Sequence, residues 1–164
     1  MEAGLAGREV SVILTYRLVR LIEDNSEELS RTLLERVRTS PLLGEYRHVP
    51  EAELKGRVQE IYSHLGEWLL THKEKDIAAR YTEIGSRRAA QGVPLSQLMW
   101  TIAVTKDNLW EFLKHKSVAQ DLPGVWGELE LLQLLDQFFG RAVYFAAVGY
   151  EKHQAKLATV GKIA

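Results

Sequence analysis

The side chains best suited to chemistry in this sequence are five histidines: His48, His64, His72, His115 and His153. His64 and His72 lie mid-chain, eight residues apart. On a continuous helix that is about two turns, too far for both rings to reach one metal ion. Each has a carboxylate four positions away, Glu60 and Asp76 respectively. Such a pair can ligate a metal but is more often a surface hydrogen bond or ion pair. A lone histidine can also be the axial ligand of haem. His64 and His72 are the candidates by position, against the plainer reading of a solvated or half-buried ring.

No catalytic set assembles from the remaining residues. Ser86 and Ser96 have no histidine at a suggestive spacing. The chain lacks a Gly-x-Ser-x-Gly elbow, a phosphate-cradling P-loop, a Rossmann glycine pattern and a His-Glu-x-x-His zinc helix. The expectation is therefore a binding protein rather than an enzyme, with no cofactor and no metal assigned. Arg87-Arg88 is the basic doublet beside a helix end. It would serve as an anion or partner contact, against the plainer reading of a solvated end or internal tether. Glu83 and Arg87 have helix-face spacing, which makes them an ion pair worth a few tenths of a kcal/mol, about the size usual for such pairs. Trp68, Trp100, Trp110 and Trp126 read mostly as core, with Trp100 or Trp110 as candidates to line a ligand cavity.

Composition narrows the class further. The chain has 164 residues, which suits one domain over 1–164 with one core. It is 46% hydrophobic and 26% charged, ordinary values for a globular protein. A net charge of -1 gives no general pull toward nucleic acid or an anionic membrane. The absence of cysteine removes disulfides, thiol nucleophiles, iron–sulfur clusters and the usual structural zinc sites. No apolar run is long enough for a bilayer span, and no export signal precedes the first helix. These features suggest a cytoplasmic protein without membrane insertion.

Apolar spacing of three and four residues predicts five or six helices and no strand. The first runs from about Arg8 to Glu23. Ser26 would cap the second, which turns Leu29, Leu33 and Val37 inward. Ser40-Pro41 ends it, and Leu42 to Val49 reads as a connector. Pro50 suits the first position of a third helix, whose stripe is Leu54, Val58, Ile61, Leu65 and Trp68. After a break within Thr71 to Asp76, a fourth helix carries Ile77, Tyr81 and Ile84 to about Gln91, closed by Gly92. Pro94 opens a fifth, with Leu98, Ile102, Thr105, Leu109 and Phe112 on one side. A turn is expected at Asp121-Leu122-Pro123-Gly124.

The last predicted helix, Val125 to about Lys156, carries two adjacent apolar stripes. One contains Leu135, Phe138 and Ala142; the other contains Phe139, Val143 and Ala146. That breadth suggests either a central core helix or a homodimer interface built on those six residues. Gly140, Ala142, Ala146, Ala147 and Gly149 would let another helix approach closely.

Two stretches carry a family resemblance. The first is Tyr81, then Gly85-Ser86-Arg87-Arg88-Ala89-Ala90-Gln91-Gly92-Val93-Pro94-Leu95 to Leu98, with Leu109-Trp110. The second is Phe138-Phe139-Gly140-Arg141-Ala142 with Val148-Gly149-Tyr150-Glu151. Together they resemble the N-terminal sensor domain of RsbR-type stressosome co-antagonists, in the RsbRD-like branch. The resemblance covers most of the chain, from about Arg8 to Lys156. It implies an all-α, globin-related bundle with no obligatory haem, usually dimeric and placed ahead of an output domain. It implies no catalytic residues. The expected function is a non-catalytic sensing or interaction domain acting on a downstream signalling protein. A haem- or other cofactor-binding globin-like sensor is the alternative.

Overall fold

The computed structural model describes residues 2–116 and 125–163, with side-chain surroundings for 12–116 and 129–162. Six α-helices and one 3-10 helix fill this range, and no strand occurs among the described residues. They are α1 (Glu2–Asp24), α2 (Ser26–Thr39), the 3-10 helix (Pro41–His48), α3 (Glu51–Thr71), α4 (Glu74–Ala90), α5 (Leu95–His115) and α6 (Val125–Ile163). The turn expected at 121–124 lies outside the described residues.

The joints follow from local chemistry. Asn25, rather than Ser26, stands between α1 and α2. Its side-chain amide donates to the Leu21 carbonyl at 2.8 Å, while its own carbonyl accepts from Leu29 N–H at 3.0 Å. One residue thus closes α1 and opens α2, leaving the Ser26 hydroxyl no capping role. The stretch after Pro41, read from sequence as a connector, is helical. Ser40 Oγ accepts from Leu42 N–H, and burial of Leu43 and Tyr46 anchors the turns. Pro50 and Pro94 sit one position ahead of the helices they open, in extended conformation. Their carbonyls accept the first helical bonds, from Leu54 and Leu98.

α3 ends at His72 in the left-handed region (φ 53°), and its N–H bonds to Trp68 O at 2.7 Å. Gly92 (φ 75°) ends α4, and Val93 N–H reaches back to Arg88 O, the closure that a left-handed glycine permits. Tyr150 of α6 then ties down this junction, its hydroxyl donating to Val93 O at 2.7 Å.

The expected inward stripes form the core: Leu29, Leu33 and Val37 of α2, and Leu98, Ile102, Leu109 and Phe112 of α5. On α3, Leu54, Val58, Leu65 and Trp68 are buried as expected, but Tyr62 is enclosed while its neighbour Ile61 remains half-buried. Asn108 explains the choice. Its amide donates to Tyr62 Oη at 2.9 Å and to Leu29 O at 3.1 Å, joining α2, α3 and α5 inside the core. Burial pushes the Tyr62 phenol up to about 12, against the opposing pull of Asn108 and Arg36.

α6 is the longest element, 39 residues, or ~58 Å at the α-helical rise. It packs most extensively on α4 and also meets α1, α3 and α5. At its seam with α4, a methyl group on Gly85 would overlap the Ala146 carbonyl, and one on Gly149 would overlap the Thr82 carbonyl. The small residues therefore do admit a close helix, but it is α4 of the same chain. This corrects the expected dimer interface. Leu135, Phe138, Phe139, Ala142 and Ala146 are all buried within the chain, and Val143 alone of the six is exposed, at 38%. The buried residues of the two stripes are covered because α4 takes the small-residue side, while Phe138 packs against Trp68 of α3 and Tyr81 of α4. Past Tyr150 the helix leaves the core, and residues 151–162 are exposed apart from a half-buried His153.

Candidate functional site

The two sequence-derived histidines part company in the fold. His72 caps α3, exposed, with its ring 5.3 Å from that of Trp68. His64 lies on the α3 surface turned toward α4. Both of its ring nitrogens are enclosed without a hydrogen bond, as is Trp68 Nε1. Glu67 Oε2 comes no closer than 3.9 Å to His64 Nδ1. Burial and the nearby Arg80 hold the His64 imidazole below its ordinary value, although Glu67, Glu60 and Asp76 oppose the shift. The ring is therefore neutral near neutral pH.

Neither histidine faces an apolar slot of porphyrin size among the described residues. The crevice between His64 and Trp68 holds about 10 Å³, room for about one water. The larger cleft on the other side of His64, about 320 Å³, is rimmed by Arg57, Glu60, Arg80 and Glu83. A haem pocket needs a mostly apolar lining, so this charged rim does not fit one. Nor do the described residues group three or more His, Asp or Glu side chains closely enough to hold a metal ion.

A second cavity lies behind that cleft, where α2, the 3-10 helix, α3, α4 and α5 converge. Its volume is about 50 Å³ and its lining is mostly aliphatic. Arg57, Ile61, Tyr81 and Ile84 border both spaces, so the inner wall of the charged cleft is the outer wall of the apolar cavity. The gap persists because α3 and α4 meet over little surface. Salt links span it instead: Arg57 to Glu83 at 4.0 Å and Arg80 to Glu67 at 3.9 Å, while Arg57 also pairs with Glu60 of its own helix at 2.8 Å.

The polar end of the inner cavity is built around Arg88, which is 4% exposed. Its Nη1 donates to Glu53 Oε1 at 2.9 Å and to Gln91 Oε1 at 2.6 Å, and its guanidinium lies 5.7 Å from the centre of the Tyr46 ring. Burial alone would raise the Glu53 carboxyl, but the Arg88 and Gln91 hydrogen bonds and the charges of Arg88 and Arg87 hold it below its ordinary value. The Tyr46 hydroxyl is enclosed with no hydrogen-bond partner. Burial pushes its phenol up, and the neighbouring Thr101 and Arg88 side chains pull it part of the way back.

These positions revise the expected contacts. Arg88 is an internal tether and cavity wall, 4% exposed and paired with Glu53, rather than a residue of the solvated surface. Arg87 stays half-buried at the surface and pairs with Glu83 at 2.7 Å, the ion pair expected from spacing. Trp100 is 43% exposed and Trp110 packs against the core. Neither lines the cavity, which takes Thr101, Ile102 and Thr105 from the adjoining face of α5. Trp126 lies outside the residues whose side chains are described. Sequence reading missed Tyr46, Glu53 and Asn108. The only available signal was polarity within apolar stripes, a weak one without knowledge of what each residue faces.

Fold and site together define an all-α domain with a small internal cavity and a long helix leaving the core. A family model described as the RsbT co-antagonist protein rsbRD N-terminal domain matches residues 26–161. The chain belongs to this family of stressosome-type signalling regulators. No curated protein and no solved structure matches it. Among the described residues no helix is long and apolar enough to cross a membrane.

Proposed function

We propose that this chain is a non-catalytic sensing and protein-interaction domain of a bacterial stressosome-type system, acting in the cytoplasm on a signalling partner through α6. The observation that carries the reading is the double role of α4. One face borders the cavity and the charged cleft; the other is seated without clearance on α6. Any displacement of α4 toward or away from α3 must therefore be shared by α6, whose last turns project from the core. The test is reconstitution with purified stressosome core proteins, followed by size-exclusion chromatography with light scattering. Co-elution in a defined complex is expected. A chain that remains separate at concentrations where those proteins assemble would overturn the reading.

The same proposal includes a homodimer, with its contact moved to surface that the fold leaves open. Val12, Ile13 and Tyr16 of α1 and Val143 and Tyr144 of α6 are exposed large apolar residues on two helices that pack together. A second copy meeting this surface across a two-fold axis would cover it. Light scattering at high micromolar concentration should give the mass of a dimer, and Val143→Glu with Tyr144→Glu should give a folded monomer. A monomeric wild type disproves the dimer.

A further inference from the structure

The inner cavity has the composition of a receptor for a small amphiphile. Aliphatic side chains form its body, including Leu33, Val58, Leu98 and Ile102. Two hydrogen-bonding groups stand at one end. The Tyr46 hydroxyl is enclosed without a partner, on a residue only 3% exposed. Arg88 hydrogen-bonds Glu53 and Gln91 through Nη1, and its guanidinium lies beside Tyr46. An unpaired buried hydroxyl is costly, and a native fold keeps one where a ligand or water completes it. Two arginines, Arg57 and Arg88, border the space, and the carboxylates paired with them, Glu60, Glu83 and Glu53, lie outside its lining.

We propose that this cavity binds a short-chain aliphatic monocarboxylate, its tail among the aliphatic side chains and its carboxylate on Arg88 and the Tyr46 hydroxyl. The inference rests on the sensing role proposed above and supplies its ligand class. A carboxylate matches the donor geometry because a guanidinium edge and a phenol together offer it charge-assisted bonds. The tail is short because the volume is about 50 Å³, against roughly 150 Å³ for an engineered apolar cavity that holds benzene. An acid of the size of butyrate needs the side chains at the α3–α4 gap to give way. Entry is from the charged cleft past Ile61 and Ile84, both half-buried.

The probe is sodium butyrate, followed by amide chemical shifts of the full chain at constant ionic strength. Butanol, which has the same chain length and no charge, and octanoate are the comparators. Saturable shifts should centre on Tyr46, Arg88 and Thr101. Tyr46→Phe preserves the ring and the fold, and should weaken butyrate about tenfold through loss of one hydrogen bond to a charged group. Butanol should bind at least about tenfold more weakly than butyrate, and octanoate should be excluded. No saturable butyrate binding overturns the proposal. So does equal binding of butanol, or binding indifferent to Tyr46→Phe. Association with stressosome proteins is measured without any acid present. Its success beside a failed titration would reject the ligand alone, and its failure would reject the sensing role.

Discussion

Helix α4 has two neighbours that it treats in opposite ways. Against α6 it has no side-chain layer at Gly85 and Gly149, and backbone meets backbone. Against α3 it keeps a gap, lined by a cavity on the inside and by arginines, glutamates and His64 on the outside. The first contact has one geometry, because nothing in it can rearrange except whole helices. The second is made of long side chains and weak, solvent-screened salt links. The contrast shows how one helix can be fixed to an output element and still have an adjustable neighbour. It also locates where change is cheap: at the α3–α4 gap, not at the seam.

The comparison breaks most sharply at the seam. Gly85→Val or Gly149→Val must push α4 and α6 apart, since the added atoms meet a main-chain carbonyl. A loss of about 3 kcal/mol or more is expected in denaturant unfolding, at or above the upper end of usual overpacking costs. Gly140, on the same helix but with open space beside it, is the control. Gly140→Ala should be neutral or stabilise by up to about 1 kcal/mol. Equal effects at Gly85 and Gly140 would mean the seam is not close-packed.

A smaller effect is expected at the polar end of the cavity. Arg88→Met removes the main partner of Glu53 and should cost about 1–3 kcal/mol. That is less than for a fully buried pair, because Glu53 keeps 23% of its side-chain surface exposed. Glu53→Gln in the same chain should recover part of the loss, measured by the same unfolding midpoint. No recovery would indicate that Arg88 acts through packing against Tyr46 rather than through charge.

The smallest effect should appear at the outer cleft, and only with pH. His64 is held below its ordinary value of 6.5 in the folded chain. The unfolded chain therefore takes up the proton first as pH falls. The stability associated with a neutral His64 is full above about pH 6.5 and is lost as pH drops through the folded value. His64→Leu should remove that part of the slope between about pH 8 and pH 5 while leaving stability at the upper end little changed. An unchanged slope would place the ring in water rather than in the gap. Arg87→Ala, beside the same cleft, should shift stability by less than about 0.5 kcal/mol, since its pair with Glu83 is solvent-screened.

The amino-acid sequence by itself determined the α-helices, though not the 3-10 helix after Pro41. Three- and four-residue apolar spacing, Ser40-Pro41, Gly92 and the prolines at 50 and 94 are local signals, and local backbone chemistry decides where a helix starts and stops. The family was likewise legible, in the stretches around Gly85 to Leu98 and Phe138 to Tyr150. Spacing also marked α6 as too apolar for an ordinary surface helix. It could not say what covers that helix, because a small-residue stripe fits a second chain as well as a distant part of its own. Only tertiary packing decided that Gly85 of α4 meets Ala146, which places Leu135, Phe138 and Phe139 in the core. The site was hidden for the same reason. Tyr46, Glu53 and Arg88 lie on three different elements and share no spacing. Their partnership arises from helices packed across the core, and no pattern along one helix records which residue another helix brings to its side.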